Sequence, residues 1–212
     1  MNNLLIELLK KGESIVTSHD IYNLYPDLTE NAVQAKIKRC LKGGELKRLY
    51  KGVYSLNQEL LKKSVVDERV AFAIDERSFL SGLGALRFHN LIPETVNYKT
   101  FIGRKAAKVH ATNVNFEIRK MPDDQLSFGV DLVQVGDFNL RIADPVRAIM
   151  DTLIDQKLAP KNRHQICAYF RIDEDEANDI KWDKAPVYAY KFRNNKLAKM
   201  IATAMTNNSE EK

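Results

Sequence analysis

Residues 29–56 read TENAVQAKIKRCLKGGELKRLYKGVYSL, and the fold of the N-terminal region turns on how this stretch divides. Thr29 carries the side-chain oxygen that an N-cap needs. Val33, Ile37, Cys40 and Leu41 then recur at i, i+4, i+7 and i+8, which draws one apolar stripe along a helix. The pair Gly43-Gly44 closes it. Next come Leu46–Tyr50 and Val53–Leu56 on either side of Lys51-Gly52. Two short apolar-rich runs around a glycine turn predict a β-hairpin.

Working outward, Leu4, Leu5, Leu8 and Leu9 have helical spacing and Gly12 follows, so a first helix is expected over Asn3 to Lys11. Ser18 is the expected cap of a second helix, which Pro26 stops. Three short helices followed by a hairpin is the order of a winged helix-turn-helix. In that fold the last helix is held out by the other two and enters a DNA major groove.

The charge distribution points the same way. The 212-residue chain has a formal net charge of +5. Between Asn31 and Lys51 stand Lys36, Lys38, Arg39, Lys42, Lys47, Arg48 and Lys51, opposed only by Glu45. This window carries +6, so the rest of the chain is about neutral. Charge this local is the footprint expected of a phosphate-binding surface. On a helical wheel Asn31, Ala35, Lys38, Arg39 and Lys42 lie opposite the apolar stripe, with Gln34 at the edge and Lys36 nearer the core boundary. Amide and guanidinium groups make paired hydrogen bonds with base edges, which suits Asn31, Gln34 and Arg39. Lys38, Lys42 and the hairpin residues Lys47, Arg48 and Lys51 suit phosphate. A winged helix that binds protein instead is the competing reading of the same motif.

Beyond the hairpin, residues 57–64 read as a linker, and helices are expected over Val65–Ile74 and Ser78–His89. The pattern then changes to strands: Val96–Ile102, Val114–Ile118, Leu126–Val135 and Phe138–Ile142, with Gly136-Asp137 as a turn. Asp144-Pro145 is a cap followed by a proline at the first helical position. Helices are expected from there, and again over Asn162–Phe170, Glu174–Ile180 and Val187–Met205. The acidic run Asp173–Glu176 suits a helix N-terminus. The sequence therefore predicts an α+β protein. A winged helix-turn-helix over 1–57 precedes a domain over 64–206, in which helices pack a small, mostly antiparallel sheet, and residues 207–212 form a flexible tail.

Several classes are set aside. Cys40 and Cys167 are the only cysteines and form no CxxC pair, so neither a zinc ribbon nor a disulfide framework is expected. The apolar run Leu4–Leu9 is too short for a leader, no run approaches a membrane span, and a cytoplasmic location is expected. His19, His89, His110 and His164 are scattered, with no HExxH, GxxxxGK[ST] or GxSxG, so no catalytic, metal or cofactor site is expected. Gly82-Leu83-Gly84 reads as helix packing. Glu117, Lys120, Asp123 and Asp124 loosely resemble the carboxylate-plus-lysine set of magnesium nucleases, in the wrong order and spacing. A nuclease targeted by a winged helix is therefore the alternative function.

Three patches resemble a known family. Lys51-Gly52-Val53-Tyr54-Ser55-Leu56 is similar to the wing signature of AbiEi-type antitoxins, from bacterial abortive-infection and phage-defence operons. Residues 81–92, SGLGALRFHNLI, resemble a helix of that family, with Ala85, Leu86 and His89 in comparable places and Asn90 where glycine is common. Residues 142–151, IADPVRAIMD, resemble its strand-to-helix segment. The resemblance implies a type IV toxin–antitoxin regulator. Its winged helix would bind inverted repeats of double-stranded promoter DNA as a monomer or weak dimer and repress the operon. Its C-terminal domain would counteract a nucleotidyltransferase toxin, with or without a direct complex. After Asp151 no residues are matched.

Overall fold

The computed structural model describes residues 3–11, 14–57, 66–111, 114–193 and 195–208. The chain divides into two compact units. One comprises Met1–Glu76 with Lys108–Phe116, the other Arg77–Ala107 with Glu117–Lys212. The first unit therefore runs past the boundary expected at residue 57. Most of the expected linker lies outside the described residues.

In the first unit, helix α1 (Asn3–Lys11), strand β1 (Ile15–Thr17) and helix α2 (Ser18–Asn23) precede α3 (Glu30–Lys42). Strands β2 (Leu46–Tyr50) and β3 (Val53–Leu56) and helix α4 (Asp67–Ile74) follow. The strands form an antiparallel sheet in the order β1-β3-β2. The second helix is capped one residue earlier than expected. Thr17 accepts from the Asp20 amide while the Asp20 carboxylate accepts from the Thr17 amide. This reciprocal capping box satisfies two backbone donors at once, which Ser18 cannot do from inside the helix. Strand β1 escaped the sequence reading because three residues carry no periodicity; it is a strand only because β3 pairs with it. Leu4, Leu8, Val16, Ile21, Val33, Ile37, Cys40, Leu46, Tyr54 and Leu56 form one buried core.

The second sheet has six strands and is mixed. Its strands are β4 (Phe79–Ser81), β5 (Lys99–Gly103), β6 (Ala107–Ala111), β7 (Val114–Lys120), β8 (Val130–Val135) and β9 (Phe138–Ala143). Their order is β6-β7-β5-β4-β9-β8. Strands β4 and β5 pair antiparallel, as do β8 and β9, whereas β4 and β9 run parallel. The sheet is larger than the small one expected, and the parallel pair β4–β9 makes it mixed. Its unforeseen central member is β4, buried along its whole length, where the sequence had read the start of a helix. Three buried residues in a row carry neither alternation nor helical spacing, so only the partner strands decide the matter. The helix proper, α5, covers Gly82–Phe88.

Helix α6 (Pro145–Asp155) begins at the expected cap, with Asp144 accepting from the Arg147 amide. It packs against α5, β4 and β9. Helices α7 (Arg163–Phe170) and α8 (Glu174–Asp179) match expectation, and the acidic run sits at the N-terminus of α8. The single helix expected over Val187–Met205 is two, α9 (Ala185–Lys191) and α10 (Lys196–Thr206). The chain breaks at Arg193, which has a positive φ of 50°, and Asn195 caps α10. Asn207 is held by its backbone to Thr203 and Arg163, so the ordered chain reaches beyond the expected tail boundary. Residues 209–212 lie outside the described residues. Among the described residues no helix is long and apolar enough to cross a membrane.

Candidate nucleic-acid interface

Helix α3 is the centre of the candidate interface. Thr29 Oγ1 accepts from the Ala32 amide at 3.4 Å, and Gly43 caps the far end. Val33, Ile37 and Cys40 are fully buried, which fixes the rotation of the helix about its axis. Asn31, Lys38, Arg39 and Lys42 are consequently exposed on the opposite face. Lys47, Arg48 and Lys51 are also exposed, on β2 and the hairpin turn, and α3 packs against β2. Seven of the nine residues singled out from the sequence are thus exposed on neighbouring elements of one unit.

The hairpin is held at mid-strand and at its turn. Arg48 pairs with Tyr54 in the strand register, its guanidinium 5.8 Å from the buried Tyr54 ring. The Gly52 carbonyl accepts from the Ser18 amide at 2.8 Å. Gly52 has φ +74°, a left-handed backbone conformation that favours glycine in the turn.

The remaining two residues are engaged internally. Lys36 lays its ammonium 4.8 Å over the Tyr25 ring, which draws it away from the exposed face. Gln34 is half-buried and donates from Nε2 to Tyr22 Oη at 2.5 Å, while Tyr22 in turn donates to Glu30 Oε1 at 3.3 Å. Sequence reasoning missed Tyr22 because it lies on α2, twelve positions from Gln34. Under the helix, burial pushes the Cys40 thiol up to about 12, helped by a hydrogen bond to Glu45. Cys40 is therefore a protonated core residue at neutral pH.

The second unit holds a buried polar cluster that the sequence did not reveal. Arg147 is completely buried. Its Nε donates to both Asp151 oxygens at 2.9 Å, and Nη1 donates to the carbonyls of Gln125 and Phe128 at 3.1 and 3.0 Å. The guanidinium stacks on Phe128 at 4.1 Å, Phe192 at 4.9 Å and Phe79 at 5.2 Å. Ser81 donates to Asp151 at 2.7 Å. Asp144, already the cap of α6, also accepts from Tyr188 at 2.6 Å and Lys184 at 2.8 Å. Its hydrogen bond raises the Lys184 pKa, whereas burial first and Asp144 second raise that of Tyr188. An Arg and an Asp at i and i+4 after a capped proline were the available signal, but that spacing is equally common on solvated helices.

The carboxylates that loosely resembled a nuclease set are dispersed. Glu117 pairs with Arg119, Asp123 with Arg77 and Asp124 with Arg193. Among the described residues no three His, Cys, Asp or Glu side chains are grouped to hold a metal ion. His89 Nε2 lies 2.9 Å from the Ala143 carbonyl, a link from the end of α5 to β9. No family model matches the chain, and no curated protein matches it either.

Proposed function

We propose that the first unit is a winged helix-turn-helix that reads double-stranded DNA, and that the chain is the promoter-binding repressor and antitoxin of a bacterial toxin–antitoxin operon. One observation carries the DNA-binding half. The buried stripe Val33-Ile37-Cys40 turns Asn31, Lys38, Arg39 and Lys42 outward, beside a hairpin that exposes Lys47, Arg48 and Lys51. In this reading α3 enters the major groove and the hairpin grips flanking backbone. Lys36, engaged with Tyr25, is left as a minor contact.

The antitoxin half rests on the resemblance and draws support from the second unit. Two of the three patches that carry it, one over residues 81–92 and one over residues 142–151, meet at the Ser81–Asp151–Arg147 cluster. Both patches are thus parts of one buried construction, as they would be in a domain built to a common plan. The toxin that this domain would counteract is a nucleotidyltransferase by the same resemblance.

The test is fluorescence anisotropy of the full chain on DNA from just upstream of its gene, against a scrambled duplex, across a salt series. Specific binding with affinity falling steeply in salt is expected. Lys38→Ala and Lys42→Ala should each weaken binding to both duplexes and reduce the slope of log K on log salt by about 0.9. An unchanged slope in both variants would defeat the docking arrangement, and salt-insensitive behaviour with no DNA affinity would favour a protein-binding module.

A further inference from the structure

We infer that Gln34 reads an adenine in the major groove and that Tyr22 is the positioning residue that holds it for this task; the inference rests on the DNA-binding role proposed above. The carboxylate of Glu30 is an acceptor only, and a tyrosine hydroxyl has a single hydrogen. With Glu30 Oε1 at 3.3 Å, that hydrogen goes to Glu30, so the Tyr22 oxygen must accept from the other side. The group there is Gln34 Nε2, at 2.5 Å. The order of donors therefore fixes which way round the Gln34 amide sits. Turning the amide over would set its oxygen against the lone pairs of Tyr22.

A glutamine amide has two N–H groups and one oxygen. In the arrangement we infer, Tyr22 occupies one N–H, the one pointing back along the side chain, and the N–H beside Oε1 stays available with the oxygen. An adjacent acceptor and donor is the complement of adenine, which offers the N6 amino group and the N7 acceptor in the major groove. Guanine offers two acceptors there, so the fixed Oε1 would meet O6 with like polarity. Gln34 lies three residues from exposed Asn31 and four from exposed Lys38, on the same side of α3. The Tyr22 ring packs against the core of the unit, so the amide is anchored to a rigid element rather than to another surface side chain. Orientation before binding lowers the ordering cost that a free glutamine would incur on contact.

The experiment is selection by the full chain from a pool of randomised duplexes, with sequencing of the bound fraction, for wild type, Gln34→Ala, Gln34→Glu, Tyr22→Phe and Lys38→Ala. Wild type should favour one A·T pair by about tenfold. Gln34→Ala should flatten that position alone, and Gln34→Glu should move its preference to cytosine, whose amino group a carboxylate accepts from. Tyr22→Phe should weaken the adenine preference several-fold while leaving the salt slope as in wild type, which a merely structural role for the tyrosine would not produce. If the Gln34 variants bind with the wild-type motif, the adenine assignment is overturned while DNA reading stands. If Tyr22→Phe keeps the full preference, the positioning role is overturned. If Lys38→Ala and wild type alike enrich nothing and bind no duplex at any salt, the DNA-binding role itself fails and the inference goes with it.

Discussion

Replacing Arg147 by methionine tests the energetics of the second unit most directly. The change keeps an unbranched side chain of fair length but removes every donor. Asp151 is then a buried carboxylate with Ser81 as its remaining side-chain donor, and the carbonyls of Gln125 and Phe128 each lose a partner. Breaking a buried pair from one side costs about 3–5 kcal/mol. Each orphaned carbonyl adds roughly 1 kcal/mol, and methionine packing against Phe79, Phe128 and Phe192 returns part of this. The net expectation is a loss of about 4–6 kcal/mol, a large fraction of the stability of an ordinary domain. The double variant Arg147→Met/Asp151→Leu removes the stranded charge and should recover at least about 2 kcal/mol of the loss. Urea unfolding followed by tryptophan fluorescence reads the effect cleanly. Trp182 is the only tryptophan, is buried, and belongs to the second unit. An Arg147→Met variant destabilised by less than about 1 kcal/mol would refute the reasoning. So would a double variant whose loss equals the sum of the two single losses.

Further expectations concern both units. Gly129 has φ +62°, and a Cβ there would lie 2.8 Å from Arg147 Cβ and 2.9 Å from the Tyr188 ring. Gly129→Ala should therefore lower stability by about 3 kcal/mol, measured by the same urea assay, whereas Gly136→Ala, with open space around it, should cost only the backbone strain of about 1 kcal/mol. The Cys40 thiol is raised from 9.0 to about 12 in the folded state. Its contribution to stability is complete below pH 9 and is lost as pH rises toward 12. At pH 10.5 wild type should have lost about 2 kcal/mol more than Cys40→Ala, relative to each protein at pH 8. Thermal melts at the two pH values check this, and equal losses would show that the thiol does not titrate with unfolding. A thiol reagent at pH 8 should modify partly exposed Cys167 in the native chain and Cys40 only after unfolding.

Much of the first unit was legible because its signals are short-range. Thr29 caps α3, the stripe from Val33 through Cys40 is its buried face, Gly43 ends it, and the Lys51-Gly52 turn joins the hairpin. Each depends on residues within about two turns of one another. The exposed face of α3 was legible for the same reason, since opposite sides of a helix follow from spacing alone. Strands β1, β4 and β6 were not legible. The first two span three residues each, and a strand that short is defined by the chain it pairs with rather than by its own pattern, whereas β6 buries only Ala107 and Val109 of its five residues and so carries a weak alternation. The helix expected over Val187–Met205 failed differently: each half has its own helical spacing, Ala185-Tyr188-Ala189 and Ala198-Ile201-Ala202-Met205, and the two stripes fall out of phase across the break at Arg193.

By itself, then, the sequence determined where charge accumulates, which face of α3 is buried, and where caps and turns begin and end elements, because each is settled within a few residues. Only the tertiary structure decided which distant groups meet. Ser81 and Asp151 lie seventy positions apart and share a hydrogen bond, and the twelve positions from Tyr22 to Gln34 are crossed by a hydroxyl. A buried Arg147 looks, in sequence, like any helical arginine four residues before an aspartate. What distinguishes it is the exclusion of water by three phenylalanines drawn from different parts of the chain, and water is excluded only when the chain has packed.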